Sequence, residues 1–205
     1  MRLLMFVVAF LSITFSSEAK KIEGEIAFND HIEKVIFKIP TDILSGKPAF
    51  EKIQHEVDYI DAEGKKKIIY PTDARAIKFY IQGEKVVMFS CQNQTEEGRL
   101  DPFGRERVFM RAIVYGPLTL YEYAFRSITS ATNATGNVSA LDAVKYKYVL
   151  QHTIEPLKKI KDLNFRKDME EYLSDCPEVV ELIHNRDLRK KDIQAIVEFY
   201  NSNCK

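Results

Sequence analysis

The chain has 205 residues, 45% hydrophobic and 11% aromatic with no tryptophan, and its 30 Lys and Arg balance 30 Asp and Glu to a formal net charge of zero. A phosphate backbone calls for an excess of basic side chains on one face, whereas the short runs "GKKK" (64–67) and "RKK" (189–191) read as a turn and a helix approach. That composition argues against nucleic acid as a partner.

At the N-terminus, Arg2 precedes thirteen mostly apolar residues from Leu3 to Phe15, and Ser17 and Ala19 stand at the −3 and −1 positions of a cleavage after Ala19. These are the three parts of a secretory signal peptide, too short to span a bilayer comfortably. Residues 1–19 are therefore expected to be removed, leaving a secreted protein, periplasmic or extracellular. No later segment approaches twenty apolar residues, so the mature chain is expected to carry no transmembrane segment. Its loss of Arg2 and Glu18 keeps the charge balanced. Three cysteines remain, Cys91, Cys176 and Cys204, and an oxidising compartment favours one pair with one left over.

Residues 20–155 read as an antiparallel β domain. "EKVIFKI" (33–39) alternates, placing Val35, Phe37 and Ile39 on one face before Pro40 ends it. "GKPAFEKI" (46–53) reads as a connecting loop or short helical turn. "HEVDYID" (55–61) and "KKKIIY" (65–70) flank a turn at Gly64, and "RAIKFYI" (75–81) and "EKVVMFSC" (84–91) flank the hairpin pair Gln82-Gly83. Cys91 is in phase with Val87 and Phe89; if the other two cysteines pair, it is left over as a buried free thiol. A polar loop (92–105) leads to "ERVFMRAIVY" (106–115), and Gly116-Pro117 breaks that strand before "LTLYEYAF" (118–125). The small and hydroxyl residues of 127–140 predict a second mobile loop, ahead of a last strand "AVKYKYVLQ" (143–151). Asn93, Asn133 and Asn137 each sit in an N-x-[ST] pattern, which matters only in a host that glycosylates such sites. Tyr115, Tyr121, Tyr123, Tyr146 and Tyr148 form the one aromatic cluster that could serve as a contact surface, although cross-strand tyrosines also stabilise sheets by themselves.

Short hairpins between neighbouring strands imply an antiparallel meander: an open curled sheet, a small barrel or a sandwich. After Pro156 the period changes. Phe165, Met169, Tyr172 and Leu173 mark one amphipathic helix. Val179, Leu182 and Ile183 mark a second, opened by Asp175 or Cys176 with Pro177 and closed by Asn185. Ile193, Ile196, Val197 and Tyr200 mark a third. The fold class is thus α+β, with a three-helix unit over 156–205.

Cys176 at a helix start invites comparison with an activated nucleophile, and His184 would share its helix face. Eight helical residues separate their positions by about 12 Å, too far for proton sharing. Antiparallel second and third helices would instead bring Cys176 to Cys204. A bridge there closes a loop of about 28 residues and contributes roughly 3–4 kcal/mol in the chain-entropy model. The histidines His31, His55, His152 and His184 are isolated, without metal-ligand spacing. No nucleotide-binding glycine motif, nucleophile elbow or EF-hand occurs. The sequence therefore nominates no catalytic residue, metal or cofactor.

The phrases "GKPAFEKI", "YIDAEGKKKIIYPTDARAIKF", "GPLTLYEY", "YVLQ" with "EPL", and "NFRKDMEEYLSDCPE" with "DIQAIVEFYNSNC" resemble a family of uncharacterised exported bacterial proteins. The likeness spans nearly the whole mature chain. It implies a signal peptide, a strand-rich body, a variable polar loop before "YVLQ", and a helical tail with its bridge at Cys176 and Cys204. It brings no activity and no catalytic residues. The expected function is a secreted or envelope-associated binding or structural protein that contacts another protein, a glycan or a cell-surface component. A hydrolase assembled only in three dimensions and a secreted protease inhibitor stand as the alternatives.

Overall fold

A computed structural model describes residues 19–42, 46–95, 98–100, 104–132, 138–153 and 155–204. Apart from Ala19, the signal-peptide reading lies outside them, as do Asn133 and Asn137.

Four strands open the chain: β1 (Lys20–Ala27), β2 (Ile32–Ile39), β3 (Val57–Ile60) and β4 (Lys66–Ile69), with the one-turn helix α1 (Phe50–Ile53) between β2 and β3. β5 (Ala76–Ile81), β6 (Glu84–Gln92), β7 (Arg107–Val114), β8 (Leu118–Thr132), β9 (Val138–His152) and the two-residue β10 (Lys158–Lys159) follow. All pairings are antiparallel, in a ten-stranded open sheet of order β10-β9-β8-β7-β6-β5-β1-β2-β3-β4. Gln82 and Gly83 both have positive φ, the conformation that a two-residue hairpin joining β5 to β6 demands.

One connection departs from a simple meander. β5 returns to pair with β1 rather than with β4. A flat sheet would separate β4 from β5 by about 19 Å, yet the link between Ile69 and Ala76 includes a turn closed by Asp73 N–H to Tyr70 O at 3.0 Å. The sheet must curl to bring those strands together. Inside the curl lie Ile26, Phe37, Ile77 and Phe79, all fully buried, with Phe50 and Ile53 of α1 against them. Gly24 permits this closeness: a Cβ there would stand 2.6 Å from the Phe37 ring and clash with the Lys78 carbonyl.

Residues 127–132 and 138–140 are strand, which corrects the loop expected over 127–140. The β8–β9 ladder runs pair by pair from Leu118↔His152 to Thr132↔Val138. Small hydroxyl residues carry little burial energy, but a two-stranded ribbon satisfies its backbone groups across the ladder without needing a deep core. Of the loop expected over 92–105, Gln92 closes β6, and the described residues 93–95, 98–100 and 104–105 lie outside the named strands and are packed. Asn93, Thr95 and Leu100 are buried, and Asn93 Nδ2–H donates to Arg105 O at 3.0 Å.

The helical tail comprises α2 (Phe165–Tyr172), α3 (Pro177–His184), a 3₁₀ turn (Lys190–Asp192) and α4 (Ile193–Asn203). Its apolar stripes, including Met169, Val179, Ile183, Ile196 and Val197, pack on Leu118, Leu120 and Leu150. Cys176 precedes α3 and Cys204 follows α4; they form a disulfide with Cα atoms 5.5 Å apart, within the usual range. Asn201 ties the tail to the sheet. Its amide accepts from Leu118 N–H at 2.9 Å and donates to Leu118 O at 2.8 Å. On the opposite side of β6–β9, a third core gathers Cys91, Val108, Met110, Tyr121, Tyr123 and Val149 beneath Leu100 and Leu157.

Candidate functional site

The five tyrosines do not make one platform. Strand alternation sends Tyr121 and Tyr123 into the third core, 6% and 2% exposed, so neither is a contact residue. Tyr115 follows β7, is 73% exposed and stacks on Phe89 with ring centroids 5.2 Å apart. Tyr146 and Tyr148 are partly exposed on the other face, the one that also carries Glu122.

Tyr148 is held by a polar network on that face, and Tyr146 feels its charges. Arg111 Nη2 meets Glu122 Oε2 at 2.8 Å, the Arg111 guanidinium lies 4.7 Å over the Phe50 ring, and Tyr148 hydrogen-bonds to the Glu122 carboxylate. Burial first, and then the negative charge of Glu122, push both phenols above their ordinary value.

Beside these tyrosines opens a cleft of about 640 Å³. Tyr146, Lys147, Tyr148 and Val149 form one wall, residues 159–163 form the other, and Phe125 and Lys190 complete it. Four consecutive strand residues point their side chains alternately to opposite faces. A cleft touching all four therefore runs along the strand's edge. It occupies the fork where β10 leaves β9: β10 pairs only at Lys158↔Leu150 and Lys159↔Val149, Ile160 N–H adds one long bond of 3.4 Å to Tyr148 O, and the chain then diverges. In that alternation Val144 and Tyr146 turn their N–H and C=O groups to the same edge, and among the described residues no strand pairs there.

The cleft is basic. Lys147, Lys159, Lys161 and Lys190 line it against one acid, Asp162, which is bound by Lys190. Lys147 lies 4.4 Å over the Phe125 ring, and Lys159 Nζ donates to Arg99 O at 3.3 Å. These lysines come from separate elements, so only the fold assembles them. The alternation Lys145-Tyr146-Lys147-Tyr148 was nevertheless a signal in the sequence, since lysine on one face of a strand is a common mark of a sheet edge.

A second cleft, about 570 Å³, lies on the outer face of β1–β3 and β5, with Ile36, Ile60 and Tyr80 among its walls. Its central charges, Glu25 and Lys78, pair with each other at 2.5 Å.

The residues first considered for chemistry are engaged elsewhere. Cys176 is in the disulfide. Cys91, the cysteine left over from the bridge, is free and buried, and burial pushes its thiol up to about 12 despite the Tyr121 hydroxyl beside it. His152 packs against the Tyr172 and Tyr200 rings, and His184 Nδ1 lies 3.2 Å from Glu170. His31 stacks on Phe28 next to Asp30. Among the described residues, no three of His, Cys, Asp and Glu lie close enough to share a metal ion, and no helix is long and apolar enough to cross a membrane. No protein-family model, curated protein or solved structure matches the chain.

Proposed function

We propose that this is an exported binding protein, secreted or held at the cell envelope, and that it recognises a partner through the cleft beside β9. In this reading residues 1–19 direct export, the chain belongs with the uncharacterised exported bacterial proteins it resembles, and its role is contact rather than catalysis. One observation carries it: an open strand edge, two partly exposed tyrosines and an excess of lysine meet in a single cleft of about 640 Å³. Clefts that combine apolar walls with a few convergent polar groups are the usual seat of recognition. The disulfide suits an oxidising compartment.

The test is site-specific photo-crosslinking in the native exporting cell. A benzophenone side chain at position 146 should give a discrete adduct, while the same group at exposed Tyr80, in the outer cleft, should give none. Absence of any adduct at position 146 would refute the reading. N-terminal sequencing of the mature protein should begin at Lys20.

A further inference from the structure

We infer that β9 accepts an added strand, and that the strand belongs to a partner protein segment in which acidic residues alternate with β-branched apolar ones. The inference rests on the binding role just proposed and names the chemistry of the occupant. The lane for such a strand already exists, because β10 fills it opposite Leu150 and Val149 and then leaves it. Val144 and Tyr146 present the next backbone donors and acceptors along that lane, and an extended segment laid there would pair with them as strand-addition ligands do.

At two points along β8 the molecule covers such groups. Where β7 stops pairing with β8, side-chain amides cover the backbone: Asn201 at Leu118 and Gln54 at Ala124. Val144 and Tyr146 have no such cover among the described residues.

Charge decides what fits. Lys145 and Lys147 share one face of β9 with Phe125, and Lys159 and Lys161 stand across the cleft. A second copy pairing edge to edge would lay lysine beside lysine, which is unfavourable. A strand with carboxylates on that face and apolar side chains on the other would set its acids against the lysines. Its apolar residues would meet Tyr146 and Val144, which is 40% exposed. Directly opposed residues in a ladder share a face, so acidic and apolar positions must alternate rather than cluster.

Amide hydrogen exchange on the intact, oxidised protein tests this with capped synthetic nonapeptides. A peptide of alternating glutamate and valine should slow exchange at Val144 and Tyr146 by roughly tenfold or more, and the effect should weaken with salt. The variant Lys145→Glu/Lys147→Glu should lose that peptide and accept alternating lysine and valine instead, which also shows that the variant is folded. Equal binding of a peptide with the same glutamates and valines in two blocks would overturn the inference. So would binding that leaves both amides unprotected, or self-association that protects them without peptide. A crosslink at position 146 with no response to the alternating peptide retires the strand inference and keeps the binding role, whereas absence of the crosslink retires both.

Discussion

Gln54 closes both backbone groups of Ala124: its Oε1 accepts the Ala124 N–H at 2.6 Å and its Nε2 donates to the Ala124 carbonyl at 2.7 Å. Its own carbonyl accepts Phe109 N–H at 2.8 Å, so one residue after α1 stands in for a ladder rung where β7 and β8 part. Gln54 is 1% exposed, and water cannot take over these bonds. Gln54→Ala should cost about 2–5 kcal/mol, from two buried backbone groups left unsatisfied. Gln54→Glu should cost a comparable amount, because a carboxylate cannot donate to the Ala124 carbonyl. Urea denaturation of both variants checks this; a loss below about 1 kcal/mol would show that the edge finds other partners.

Reduction of the bridge, or Cys204→Ser with Cys176→Ser, should lower stability by roughly 3–4 kcal/mol, the chain-entropy expectation for a loop of 28 residues. Peptide mapping without reductant should show Cys176 joined to Cys204 and Cys91 alkylated only after unfolding. A linked peptide containing Cys91 would contradict the structure.

Cys91 also sets an alkaline limit. Its folded thiol titrates at about 12, above the unfolded value of about 8.5. Between those values the unfolded chain releases a proton that the folded chain keeps, so stability falls as pH rises through the window. Cys91→Ala should flatten this decline even if it lowers stability at neutral pH. Equilibrium unfolding across pH 8 to 11 reads the slope directly, and an unchanged slope would place the alkaline loss in other groups.

Asn93 meets the glycosylation pattern yet is 1% exposed, with its amide bonded to Arg105 O. In a glycosylating host, the folded secreted fraction should carry no glycan at Asn93. Mass spectrometry of that fraction decides it.

Much of this architecture was legible in the chain. Alternation over 33–39 picked out Val35, Phe37 and Ile39, all buried, and the change of period after Pro156 marked the helices that the disulfide joins. The tyrosines were harder to assign for a physical reason. Over 118–124 both faces of β8 are covered, Leu118 and Leu120 by the tail and Tyr121 and Tyr123 within the third core beside Leu100, so neither face shows a polar row there that would mark solvent. Gln54 and the cleft lysines act across long sequence separations, and no local pattern reports such meetings. The small and hydroxyl residues over 127–140 hid the β8–β9 extension, because a ladder joins backbone groups that carry no side-chain signature.

β8 lends Ala124 to the first core, Leu118 and Leu120 to the second, and Tyr121 and Tyr123 to the third. A wall common to three rooms cannot be taken down for one of them. Body and tail should therefore melt together, with tyrosine and helix signals tracing one transition. Severing the chain near residue 155 would strip Leu118, Leu120 and Leu150 bare, and would not release a tidy, independently folded module.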